Sequence, residues 1–89
     1  MNGPTLPARP ALNRRFRLQW EPAQDAHVLL YPEGMVRLND SAAAILQCCD
    51  GTSSIERIVG RLEAQFSASG LRAEVEGIMA HAFLHDWIV

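Results

Sequence analysis

Hydrophobic and polar positions alternate from Arg15 to Trp20. Phe16, Leu18 and Trp20 take one side, and Arg15, Arg17 and Gln19 take the other. A period of two predicts a half-buried strand. The segment Glu21-Pro22-Ala23-Gln24-Asp25 interrupts it, and an apolar stretch over residues 27–31 predicts a second strand. Pro32-Glu33-Gly34 then reverses the chain, the proline presetting φ inside the turn and the glycine tolerating its exit geometry. Met35, Val36, Arg37 and Leu38 return as a third strand. Three strands with short links predict an antiparallel meander, and a meander leaves the third strand with an open edge.

The pattern then changes to the helical period. Asn39-Asp40-Ser41 offers side-chain oxygens for orphan N–H groups, and Ala42-Ala43-Ala44-Ile45-Leu46 is strongly helix-forming. A first helix over residues 41–49 places Ala42, Ile45, Leu46 and Cys49 on one face. Asp50-Gly51 ends it, with Gly51 expected as the left-handed residue beyond its end. Ser53 and Glu56 have capping-box spacing and predict a second helix from Ser53, with Ile55, Ile58, Val59, Leu62 and Phe66 as its apolar stripe. A turn over residues 67–70 leads to a third helix, where Val75, Ile78, Met79, Ala82, Phe83 and Trp87 share a face. Strands followed by helices predict an α+β domain, a three-stranded antiparallel sheet followed by three α-helices in a winged helix-turn-helix-like arrangement.

Residues 1–13 contain Pro4, Pro7 and Pro10 and show neither period. They read as a flexible arm before a domain of residues 14–89, either a tail without a role or a basic tether for a partner. Charge separates along the same line. Residues 1–20 carry Arg9, Arg14, Arg15 and Arg17 and no acid, whereas the remainder has four Arg against ten Asp or Glu, a net of −6. An acidic domain is repelled by a phosphate backbone, so nucleic-acid binding is not expected despite the winged-helix pattern. No signal segment and no membrane-length apolar run appears, so the expected location is the cytoplasm, where the thiols stay reduced. With 89 residues the chain has room for one small domain and only modest stability.

Candidate chemistry is sparse. His81 and His85 share a helix face beside Asp86, but no third ligand accompanies them at a recognisable spacing, so no metal is expected. Cys49 falls on an apolar stripe with no Cys-His-Asn or Ser-His-Asp context, and there is no phosphate-binding glycine loop. The chain therefore reads as a non-enzyme with no cofactor. The open third strand is different, because its backbone groups need partners whatever its side chains do. An added peptide strand satisfies them, and so does water on a short edge guarded by Arg37.

The series YPEGMVRLNDSAAAIL, CDGTSSIERIV and a final apolar helix ending at Asp86-Trp87 resembles the PqqD family, small proteins of pyrroloquinoline quinone biosynthesis. The likeness spans residues 13–89. It implies a winged-helix-like fold and the role of a non-catalytic peptide chaperone. Such proteins bind the precursor peptide PqqA and present it to the radical-SAM enzyme PqqE. The implied peptide site is the groove between the third strand (Met35, Val36, Arg37, Leu38) and the third helix, with Val75, Met79 and Phe83 as helix contacts. Arg37 is then placed to pair with a peptide carboxylate. The rival reading is a homodimeric structural or regulatory winged-helix protein that uses the same open strand to pair with its copy.

Overall fold

The computed structural model describes residues 5–89. Three strands form one antiparallel sheet in chain order: β1 (Arg17–Glu21), β2 (Ala26–Tyr31) and β3 (Gly34–Arg37). Three helices follow, α1 (Asp40–Gln47), α2 (Ile55–Gln65) and α3 (Arg72–Leu84). The expected α+β architecture of three strands and then three helices is therefore present. Leu18, Leu29 and Val36 stand directly across from one another on the strands. They face the helices and join a core built by Ile45, Leu46, Ile58, Leu62, Val75, Met79 and Ile88. α1 packs on β1, β2, α2 and α3, whereas β3 is an edge strand that pairs with β2 alone.

Local chemistry sets the helix ends. Asn39 caps α1, its Oδ1 accepting from the Ala42 N–H at 2.8 Å. α1 closes at Cys48, two residues earlier than a Gly51 terminator requires. Gly51 is nonetheless left-handed at φ 83, in the α1–α2 turn, where its N–H donates to the Pro10 carbonyl. Asp50 organises that turn, accepting from the Thr52 N–H and hydroxyl at 2.9 Å and from the Ser53 N–H at 3.2 Å. These bonds hold its carboxyl below the usual range, led by that of the Thr52 N–H. Ser53 is thereby drawn inside, and the cap of α2 is Ser54, which accepts from the Arg57 N–H. The Ser53 start is corrected by one residue for that reason.

Two further expectations change. Trp20 continues the alternation of β1 but stays outside the buried core. It is 49% exposed, its ring edge-on to His27 at 5.2 Å. Gly34 needs no left-handed backbone. A Cβ there would meet the Tyr31 hydroxyl at 3.5 Å, an ordinary contact, so neither backbone nor packing requires glycine at this position.

Residues 1–4 lie outside the described residues, but residues 10–13 are laced into the fold. Ala11 and Val89 exchange N–H···O bonds of 3.0 and 2.8 Å, Leu12 donates to Cys49, and Asn13 donates to Trp87. The Asn13 side chain also donates to the Asp86 carbonyl at 2.8 Å. Proline-rich composition hides this because the bonds join segments distant in sequence. A chain cut before Pro10 gives up only the packing of Leu6 on the core and should melt slightly lower. One cut after Asn13 loses six backbone bonds, each worth about 0.5–1.5 kcal/mol, and should melt many degrees lower by circular dichroism.

Candidate functional site

The turn between β2 and β3 determines which backbone groups of β3 remain free. The register pairs Tyr31 with Gly34, Leu29 with Val36 and Val28 with Arg37, and the Leu38 N–H donates to the His27 carbonyl at 2.9 Å. Hydrogen-bonded pairs alternate along an antiparallel ladder, so Gly34, Val36 and Leu38 bond inward to β2. Met35 and Arg37 consequently aim their N–H and C=O groups away from the sheet. No strand of the sheet lies on that side.

Side chains alternate with the same period. Val36 is half-buried on the helix side, whereas Met35, 46% exposed, and Arg37 face solvent. Beside Val36 lies a cavity of about 270 Å³. Phe16, Tyr31 and Val36 form its sheet wall, and His85, Asp86 and Trp87 form its far wall. Phe16 and Tyr31 are tilted against each other at 5.5 Å, and Arg15 and Glu33 approach to 4.0 Å at the rim.

The far wall exists because α3 ends in a tight left-handed turn. The Trp87 N–H donates to the Ala82 carbonyl at 2.8 Å and the Asp86 N–H to Phe83 at 3.1 Å, while Asp86 takes φ 62. This is a Schellman closure with aspartate where glycine is usual. It folds Trp87 back against the domain, edge-on to His81 at 5.2 Å.

Of the residues expected at a peptide groove, Met35, Val36 and Arg37 line an open strand. Leu38 is buried, and its N–H is already bonded to His27. Val75 and Met79 are sealed in the core at 2% and 0% exposure, and Phe83 is half-buried against it. Phe16, Tyr31 and Trp87 were missed as walls. Phe16 belongs to a legible alternation, but the return of Trp87 depends on Asp86 adopting φ > 0, for which an aspartate gives only a weak signal.

Residues 26–88 match the model of the family described as Coenzyme PQQ synthesis protein D (PqqD). The chain belongs to the PqqD family. A protein of Azotobacter vinelandii named PqqA binding protein is 53% identical over 99% of this chain and 97% of its own. The PqqA binding protein of Pseudomonas aeruginosa PAO1 is 46% identical over the same shares. The solution NMR structure of the PqqD truncation of Methylobacterium extorquens PqqCD superposes with a TM-score of 0.69 at 28% identity, covering 90% of this chain and 87% of that one. That truncation represents a functional, stand-alone recognition element for ribosomally synthesized and post-translationally modified peptides (RiPPs).

Other candidate groups are held in structural roles. His81 and His85 stack at 4.1 Å, and His85 Nδ1 donates to the His81 carbonyl at 2.9 Å, which fixes its proton on that nitrogen. No group of three or more metal-ligating side chains occurs among the described residues. Cys48 and Cys49 are free thiols inside the core. The Cys49 Sγ donates to the Ile45 carbonyl at 3.4 Å. Burial, then the neighbouring Cys48 and Asp50, push the Cys49 thiol up to about 12.

The folded chain therefore keeps the Cys49 proton through the range near 9 where an ordinary thiol loses it. The unfolded chain releases it there, so stability contributed by Cys49 is present below that range and declines as pH rises towards 12. Cys49 should resist iodoacetamide at pH 8 in the native protein and react once urea unfolds it. Cys49→Ala should reduce the alkaline fall in the urea midpoint.

Proposed function

We propose that this chain binds the precursor peptide PqqA by adding it as a further strand to β3, and presents it to the radical-SAM enzyme PqqE without itself making or breaking a bond. The observation carrying this reading is the set of outward-facing backbone groups of Met35 and Arg37, on a strand that pairs with β2 alone. An extended peptide offers donors and acceptors at the same spacing, so main-chain bonds set its register. Its side chains then alternate. Those on the helix side meet Val36, Phe16, Tyr31 and Trp87, and those on the solvent side lie beside Met35 and Arg37. Arg37 is exposed and forms no ion pair among the described residues, so a peptide carboxylate beside it gains a charge-assisted bond.

Family membership and relatives named PqqA binding protein support the peptide's identity. The free thiols suit the reducing cytoplasm in which we place the reaction. Holding the peptide beside the enzyme raises its effective concentration, so moderate affinity is enough.

Titrating the ¹⁵N-labelled chain with a PqqA peptide should shift and protect the Met35 and Arg37 amides and move the Trp87 indole signal. Arg37→Pro deletes an outward N–H, a change that an edge strand tolerates. Beyond the loss in Arg37→Ala, it should weaken binding by about three- to tenfold, the worth of one main-chain bond. Saturable binding that leaves both amides unshifted and is indifferent to Arg37→Pro places the peptide elsewhere.

A further inference from the structure

A second cavity, of about 170 Å³, opens between α1, the end of α2 and the start of α3, and it shares no residue with the groove beside β3. Ala44, Ile45, Leu62, Phe66, Leu71 and Val75 give it apolar walls. The α2–α3 turn beside it is firmly built. Ser67 takes φ 51, and the Ala68 N–H donates to the Glu63 carbonyl at 2.9 Å. The Glu63 carboxylate accepts from the Leu71 N–H at 3.0 Å, so one residue holds both ends of the turn. Phe66 is thereby fixed at the rim with 54% of its surface in water.

The only charged residues lining this cavity are Asp40 and Glu74. Arg72, in the same first turn of α3 as Glu74, is bonded instead to Glu76 at 2.9 Å. The mouth is therefore acidic around an apolar interior. A cavity of about 150 Å³ with such walls accommodates benzene, so this one is of a size for a single phenyl or isobutyl side chain.

We propose that the α1–α2–α3 pocket is a second docking site, which receives one aromatic or leucine side chain from a cationic amphipathic segment of a partner protein. The ring or branched chain fills the pocket and covers Phe66. An Arg or Lys one turn away on the same segment meets Asp40 and Glu74. Because the pocket and the β3 groove have no residue in common, one copy of the chain holds a peptide on its sheet edge and a second polypeptide on its helices. The chain's net charge of −2 favours the same cationic segment at longer range.

The test uses the full ¹⁵N-labelled chain and a short synthetic helix carrying one phenylalanine with arginine one turn before and after it. Binding should move the amides of Ala44, Ile45, Phe66, Ala68, Leu71 and Glu74 while leaving Met35 and Arg37 in place. Exchanging the probe's phenylalanine for alanine, or its arginines for glutamates, should weaken binding by about tenfold or more. Ala44→Phe, which fills the pocket from within, and Glu74→Arg, which reverses its mouth, should each do the same. If Ala44→Phe does not fold, the exposed Glu74→Arg change decides. Absence of binding, shifts outside the pocket, equal binding of the glutamate probe, or indifference to Glu74→Arg overturns the proposal.

Discussion

The hydrogen-bond parity of the β2–β3 hairpin is the constraint on which the functional geometry depends. Once Tyr31 and Gly34 pair across a two-residue turn, every second residue of β3 bonds to β2 and the others face outward. Inserting one residue into the turn would aim the groups of Gly34, Val36 and Leu38 at the open edge. The same insertion would move Val36 to the solvent face and Met35 and Arg37 to the helix face, because side chains share the period of two. Main-chain pairing and side-chain selection are thus set together.

That edge becomes a groove only because the opposite wall is held in place from a distance. The wall is the returning segment after α3, and three devices fix it: the left-handed turn at Asp86, the Asn13 amide bonded to the Asp86 carbonyl, and the paired backbones of Ala11 and Val89. Residues 10–13 therefore help to hold the far wall of the cavity although none of them lines it. A domain of 89 residues buries a limited fraction of its surface, so a few backbone bonds at its closure matter for stability. A bound peptide adds to that stability by mass action.

The elements were legible wherever one period ran long enough. Alternation at Phe16, Leu18 and Trp20 located β1, and the three-four spacing of Val75, Ile78, Met79 and Ala82 located α3. Their ends were less legible, since Ser53 and Ser54 offer the same hydroxyl and only the pull of Asp50 on the Ser53 N–H decides between them. The open edge was visible from strand order and turn length. Which α3 residues could touch a ligand was not, because Val75, Met79 and Phe83 share a stripe whose first two members are consumed by packing against α1 and α2. Periodicity identifies an apolar face but not how much of it neighbouring helices already cover.

The distribution of tight packing sets which groups the chain offers to a ligand. Its candidate nucleophile, Cys49, is buried, protonated and bonded to a helix carbonyl, so it is held away from any reacting partner. Its polar side chains near the groove, Arg15, Glu33, His85 and Asp86, sit at a rim open to water, where charges are screened and orient a ligand more than they activate one. What the fold presents instead is rigid backbone with a defined donor and acceptor pattern, backed by aromatic walls. Such a surface favours an extended chain over a compact substrate. In the proposed strand addition main-chain bonds are indifferent to sequence, so selectivity would fall to the alternating side chains, beside Val36 and Trp87 on one side and Arg37 on the other.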